Sequence, residues 1–162
     1  MGLKLLVQRL RHSRGFGIHS PYAFRFVTEV LNQPCSYYAY NSLPEDVLSR
    51  HDWQLLVRLL VHFRPRRIAL DDGMPSQVGR FVRRVCPRVQ FSGDPDLLIC
   101  IGGLPDKWRM AVCEGELHAI VLNSKSMPSV VERAHGMAFG NGRCWIMAAF
   151  NHLPAQNFDV QF

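Results

Sequence analysis

Several features that would place a protein in a special class are scarce or absent in this 162-residue sequence. No apolar run approaches the roughly 18 residues needed to cross a bilayer, so no membrane span is expected. Residues 1–15 begin with a charge, but their apolar runs are short and no small-residue cleavage site follows, so no signal peptide is expected. Hydrophobic residues make up 48% of the chain and charged residues 20%, which indicates one globular domain rather than disorder.

Patterns for metal sites and disulfides are also missing. The five cysteines are odd in number and never form a Cys-x-x-Cys pair, which argues against a disulfide framework and against a zinc site. The seven histidines show neither HExxH nor HxH spacing. We therefore expect no bound metal, and we expect the reducing cytoplasm as the compartment.

Lysine is scarce as well, because the net charge of +6 comes from 16 arginines and only three lysines. Arginine forms bidentate contacts with phosphate, so nucleic acid is one partner to consider. The best candidate surface is the outer face of a helix predicted over residues 76–86, which carries Arg80, Arg83, Arg84 and Arg88. The alternative interpretation of this row is an ordinary solvated helix face.

The apolar pattern divides the single domain into an N-terminal helical extension, residues 1–64, and an α/β core, residues 65–162. Three helices are predicted in the extension: residues 3–12, a helix from the Ser20 cap to the stop at Pro34, and one from Ser42 or Pro44 to about Phe63.

In the second part, buried strands alternate with helices, which is typical of an α/β protein with a mostly parallel sheet. Strands are predicted over 67–72, 96–102, 117–123, 143–150 and 157–162, the last two as a closing pair. Helices are predicted over 76–86, over 106–115 and from Pro128 or Ser129. We expect a sheet of about five strands.

Ligands of open α/β sheets bind beyond the carboxyl ends of the strands. The first predicted strand is followed by Asp71, Asp72 and Gly73, whereas the next two are followed by Gly102 and Asn123. Only the first turn carries carboxylates, and adjacent strand residues point to opposite faces, so paired acid–base catalysis is not expected. No catalytic residue is assigned.

One stretch near the N-terminus, "RGFGIHSPYAFRFVTEVLN" over residues 14–32, resembles the "HGIHSPFVF" signature of a group of bacterial class I S-adenosylmethionine-dependent methyltransferases. Later segments are similar in the same order: "LLVRLLVHFRPRRIALDDG", "DLLICIGG", "HAIVLNSKS" and "QNFDVQF". The resemblance spans nearly the whole chain. It implies a Rossmann-like fold in which Asp71, Asp72 and Gly73 contact S-adenosylmethionine.

Four positions depart from the pattern that the resemblance implies. They are Gln77 in place of the second loop glycine, Ser92 in place of the acid that would hold the ribose, Gly102 in place of an aspartate, and Asn123 with Ser124 in place of an aspartate pair. A side chain at Gln77 would intrude where only glycine lets the backbone approach the ligand. The resemblance therefore implies a site that is no longer maintained.

The spacing between two predicted strands gives an independent argument. Four residues separate Phe91 from Asp96, and they reach at most about 14 Å. A parallel crossover needs about a dozen residues or more. We therefore expect the chain to have lost a strand–helix–strand–helix block, which in the family forms the adenosine side of the pocket.

These observations leave three functions open. The first, which we favour, is a degenerate methyltransferase-like protein with little or no activity and no bound cofactor, acting as an interaction or regulatory module. The second is an active methyltransferase whose site is unusual or completed by a partner, with S-adenosylmethionine at Asp71 and Gly73. The third is a nucleic-acid-binding protein that uses the four arginines and residues 64–67. An exposed sheet edge favours a homodimer or a protein partner.

Overall fold

The computed structural model describes residues 17–44, 46–124 and 129–162. Its helices are α1 (Pro21–Arg25, continued by a π-helix over Phe26–Leu31), α2 (Arg50–Phe63), α3 (Ser76–Val85), α4 (Arg109–Cys113) and α5 (Ser129–Glu132). Two 3₁₀-helices cover Tyr38–Ser42 and Asp106–Trp108. The strands are β1 (Arg67–Leu70), β2 (Gln90–Phe91), β3 (Leu97–Ile101), β4 (His118–Leu122), β5 (Gly136–Gly140), β6 (Trp145–Ala149) and β7 (Gln156–Asp159).

In this part of the chain the fold is α/β, with one mixed sheet of seven strands in the order β2-β1-β3-β4-β6-β5-β7. The expectation of a mostly parallel sheet of about five strands is wrong. Strand β6 runs antiparallel to both of its neighbours, β4 and β5. The predicted closing pair is also wrong, because β6 and β7 lie on opposite sides of β5 and do not pair with each other.

The helices before the sheet begin at hydroxyl caps. Ser20 accepts a hydrogen bond from the Ala23 N–H at 3.3 Å, as the Ser-Pro pattern predicts. Helix α2 begins later than expected, because Ser49 caps it by accepting from the Asp52 N–H at 3.1 Å. The residues from Ser42 to Ser49 are therefore not part of this helix. The helix predicted over 3–12 lies outside the described residues.

Helices cover both faces of the sheet. Residues 97, 99, 120 and 122 of β3 and β4 pack in one cluster with α1, α2 and α3. Residues 98, 100, 119 and 121 point the other way and pack with α4 and α5. This alternation is the two-residue period of strands that are buried on both sides. Within the described ranges, no helix has the length and apolarity that a bilayer-spanning segment requires.

The chain passes from β2 to β3 across the beginning of β1. Strand β2 has only two residues, which pair with Arg67 and Ile68, and β3 begins opposite Ile68 on the other side of β1. Two strand spacings amount to about 10 Å, which residues 92–96 can span. The short linker is thus accommodated by a short edge strand, while the sheet itself is wider than expected.

Two histidines lie half-buried near the amino ends of the strands. His118 Nδ1 accepts a hydrogen bond from the Ala149 N–H at 3.0 Å, and its ring stacks on Phe63 with centroids 4.5 Å apart. His62 lies 3.1 Å from the Tyr22 hydroxyl. Burial lowers the pKa of His118 from its usual 6.5, and it lowers the pKa of His62 as well. Both rings are therefore neutral in the folded protein at neutral pH.

We expect the free energy of unfolding to fall as the pH is lowered from about 6.5. Below that pH the unfolded chain protonates both histidines, whereas the folded chain resists protonation until its lower pKa values are reached. Urea titrations across this window measure the effect. His118→Asn keeps an acceptor for Ala149 but removes one titrating ring, so it should flatten the pH dependence. An unchanged slope in His118→Asn would contradict this assignment.

Candidate functional site

The crevice between the carboxyl ends of β1 and β3 is the candidate ligand site of this sheet. From β1 the chain continues into α3 on one face, and from β3 it continues into α4 on the opposite face. From β1 the chain first adds β2 on one side and then β3 on the other, so the strand order reverses at β1. Ligands of open α/β sheets bind at such a reversal, outside the carboxyl ends of the strands.

The turn after β1 places Asp71, Asp72 and Gly73 at this crevice. The Asp71 N–H donates to the Ile99 carbonyl at 3.1 Å and so continues the pairing with β3. The Asp71 carbonyl accepts from the Met74 N–H at 2.9 Å. One oxygen of the Asp71 carboxylate accepts from the Asp72 N–H at 2.9 Å. The first carboxylate of the turn is therefore used to hold the turn itself.

The second carboxylate, that of Asp72, is bound from the other side of the crevice. Lys107 Nζ donates to Asp72 Oδ2 at 3.1 Å. Lys107 belongs to the 3₁₀-helix that follows β3, so this ion pair joins the two loops that flank the crevice. Both side chains are largely exposed, so the pair contributes little to stability. The pair matters for the site itself, because Lys107 binds one carboxylate oxygen of Asp72, the second acid of the turn.

Positions 73, 77 and 79 of this segment differ in how closely their surroundings approach them. A Cβ at Gly73 would meet no atom within 4 Å, so this glycine is not required by packing. Gln77 lies half-buried in the first turn of α3, in place of the expected second glycine. A close approach occurs instead at Gly79, where a Cβ would lie 3.2 Å from Leu70 Cδ1. Gly79 thus serves the packing of helix α3 against strand β1.

The other strand ends offer few groups that could grip a ligand. Ser92 follows the two-residue strand β2, and its Oγ accepts from the Asp94 N–H at 3.1 Å. Gly102 has a positive φ of 83°, and its N–H donates to the Leu122 carbonyl at 2.8 Å. Asn123 is exposed with a φ of 53°. The positions where acids are expected thus hold a turn hydroxyl, a glycine and an amide.

Near this crevice we considered a cysteine nucleophile and a group of metal-ligating side chains. Burial raises the pKa of the Cys100 thiol to about 12, and the nearby Asp71 charge acts in the same direction. A thiol with such a pKa is protonated at neutral pH and is a poor nucleophile. In the part of the chain that the structure describes, no three His, Cys, Asp or Glu side chains are grouped as metal ligands.

The four arginines predicted to face outward are all exposed or half-exposed on α3 and just beyond it. Two of them are held in place by neighbours. The Arg83 guanidinium lies 4.9 Å from the centroid of the Phe91 ring. Arg84 donates to the Ser42 carbonyl at 3.2 Å. None of the four forms an ion pair with a carboxylate of residues 17–44, 46–124 or 129–162.

Two residues of interest were not singled out from the sequence. Lys107 is separated from Asp72 by 35 positions, and no local pattern links them. Tyr38 is 93% exposed at the start of the 3₁₀-helix that ends at Ser42. The sequence does carry a signal for it, since "YYAY" places three tyrosines within four positions.

Comparison of the chain with protein-family models, with curated proteins and with solved structures finds no match in any of the three.

Proposed function

We propose that this chain is a reduced methyltransferase-like α/β protein that has little or no transferase activity and acts as an interaction or regulatory module. The observation that carries the proposal is that both carboxylates of the first turn are engaged within the chain. Asp71 accepts from the Asp72 N–H, and Asp72 accepts from Lys107. The position of this turn at the reversal of strand order supports an origin in a cofactor-binding fold.

A cofactor entering this crevice would have to share the two carboxylates with the hydrogen bonds that they already accept. Its cationic or hydroxyl groups would compete with Lys107 for Asp72 and with the turn N–H for Asp71. It would also meet the Gln77 side chain where the proposed ancestral loop had glycine. Any internal interaction that is broken opposes binding by its own free energy, which is small for the exposed Asp72–Lys107 pair.

The adenosine side of the proposed ancestral pocket is reduced as well. Strand β2 contributes only two residues and pairs only beside Arg67 and Ile68, near the beginning of β1. The Ser92 hydroxyl that follows it is bonded to the Asp94 N–H. An acid at this position would be the natural acceptor for ribose hydroxyls. With Ser92 so occupied, we propose that S-adenosylmethionine is not a resident cofactor.

The proposal also includes a compartment, the reducing cytoplasm, and a homodimer or protein partner. All five cysteines are free thiols, as expected for the reducing cytoplasm that we propose as the compartment. Burial raises the pKa of Cys144 to about 12, as it does for Cys100, so these two thiols are unreactive. The expectation of a homodimer or a protein partner at a sheet edge stays a prediction.

Calorimetric titration with S-adenosylmethionine tests the proposal. We expect no saturable heat at micromolar cofactor, either for the native chain or for Gly73→Trp. Gly73→Trp is a suitable blocking variant because position 73 is exposed and has space for a side chain, so the fold is retained. Saturable micromolar binding by the native chain that Gly73→Trp abolishes would refute the degenerate site and favour a working methyltransferase.

A further inference from the structure

The outer side of α3 and the turn that follows it form a cationic surface, which we term the arginine face and define as Arg80, Arg83 and Arg84 of the helix and Arg88 of the turn. The opposite side of this helix is buried in the core through Val78, Phe81 and Val82. The surface is therefore presented on a rigid element. Arg80 and Arg88 are exposed, and within the described residues neither makes a hydrogen bond or ion pair.

Neighbouring groups orient the two central guanidinium groups of the arginine face without neutralising them. Arg83 rests 4.9 Å from the Phe91 ring, and Arg84 lies 5.8 Å from the Phe81 ring while donating one hydrogen bond to the Ser42 carbonyl. A guanidinium has five N–H donors, so most of them stay available. Side chains three and four positions apart on a helix lie about 6 Å from each other, which applies to Arg80, Arg83 and Arg84. The arginine face therefore presents charged guanidinium groups whose N–H groups can donate hydrogen bonds to phosphate oxygens.

An exposed aromatic ring belongs to the same 3₁₀-helix that Arg84 contacts. Tyr38 is 93% exposed, and it begins the 3₁₀-helix whose last residue, Ser42, is bound by Arg84. At a rise of about 2 Å per residue, the backbone of Tyr38 is about 8 Å from that of Ser42. An exposed ring on a segment that an arginine of this face contacts can stack on an unpaired base while the arginines bind the backbone phosphates.

We propose that the arginine face and Tyr38 together form a binding site for single-stranded nucleic acid. The guanidinium groups bind consecutive phosphates, and the Tyr38 ring stacks on a base that is free of a pairing partner. An anionic membrane is a poorer fit, because a surface-bound helix must insert apolar side chains and those of α3 are buried in the core. The site is separate from the strand-end crevice and does not depend on the degenerate cofactor site.

Fluorescence anisotropy with a labelled oligouridylate of about twelve nucleotides tests this site. The native chain should bind at low salt. Arg80→Gln/Arg88→Gln should bind about tenfold more weakly and lower the slope of log affinity against log salt by about 1.4, since two phosphates are no longer neutralised. Tyr38→Ala should weaken binding about tenfold without altering the salt slope. The substituted side chains are exposed, so folding should be unaffected.

The matched control is Arg109→Gln/Arg133→Gln. It removes the same charge from exposed arginines in α4 and just after α5, which pack on the opposite face of the sheet from α3. Its binding should stay within about twofold of native. Absence of binding at low salt would overturn the proposal. So would an equal loss in the control, or a duplex bound as tightly as the single strand by native and Tyr38→Ala protein alike.

Discussion

Replacement of Gly136 by alanine should lower the free energy of unfolding by about 3 kcal/mol. Gly136 begins β5 with a φ of 120°, a conformation that residues with a Cβ rarely adopt. A Cβ there would lie 2.4 Å from the Ala148 carbonyl oxygen and 2.9 Å from the Phe150 nitrogen. These are backbone atoms, so relief requires the β5–β6 ladder to move. Urea unfolding followed by tryptophan fluorescence measures the destabilisation.

Gly140, at the other end of the same strand, provides the matched control. A Cβ at Gly140 would lie 3.8 Å from Trp145 Cβ, which is an ordinary van der Waals distance. Gly140→Ala should therefore change stability by less than about 1 kcal/mol. If both variants were destabilised equally, the cost would come from strand glycines in general, and the close approach at Gly136 would not be its cause.

Removal of the Asp96 carboxylate should cost about 2 kcal/mol. Its oxygens accept from the Arg66 and Arg67 N–H groups, each at 3.1 Å, and the Asp96 N–H donates to the Arg67 carbonyl at 3.0 Å. Asp96 thus fastens the crossover between β2 and β3 to the beginning of β1. Asp96→Ala leaves two backbone donors without these acceptors, and chemical denaturation measures the result.

Asp94→Ala is the control for this prediction, because Asp94 lies two residues away and also binds Arg67. Its partner is the Arg67 guanidinium, and both side chains are substantially exposed. Exposed ion pairs contribute roughly 0–1 kcal/mol, so Asp94→Ala should be nearly neutral. Equal destabilisation by the two variants would show that charge, and not the backbone hydrogen bonds of Asp96, holds the crossover.

Local chemistry in the sequence was sufficient to predict some helix boundaries. Ser20 before Pro21 combines a hydroxyl cap with a proline in the first turn, and a helix begins there. Helix α2 begins at Arg50 and not at Ser42 or Pro44, and the sequence around Ser49 does carry a helix-start signal. Ser49 is followed three residues later by Asp52, which accepts from the Ser49 hydroxyl at 2.6 Å. Ser42 and Pro44 offered an equally good start on local grounds, and only packing distinguishes them.

The sequence does not predict strand β5 or the order of β4, β6, β5 and β7, because both depend on pairing between distant parts of the chain. Strand β5 has only five residues and begins and ends with glycine, at Gly136 and Gly140. Because glycine is common at helix ends, this stretch also fits the end of the preceding helix. Its pairing with β6 on one side and β7 on the other supplies the hydrogen bonds that make it a strand. The hydrophobic periodicity of a five-residue stretch cannot predict that β6 lies between β4 and β5.

The sequence predicts where the candidate site lies but not which partners its side chains bind. The strand-end rule places Asp71, Asp72 and Gly73 beside the crevice, where the structure has them. The ion pair between Asp72 and Lys107 depends on how two loops 35 residues apart approach each other. The role of Gly79 in helix–strand packing likewise appears only when Leu70 lies against it.

A titration of ¹⁵N-labelled protein with S-adenosylmethionine, followed through its amide resonances, tests the central claim most directly. It detects weak binding and locates it, and the amides of Asp72, Gly73 and Gly102, which follow β1 and β3, report on the crevice. The degenerate-site account predicts that these resonances do not move at millimolar cofactor, while Lys107→Ala frees Asp72 without creating a saturable site. Saturable shifts confined to these amides in the native chain would contradict it.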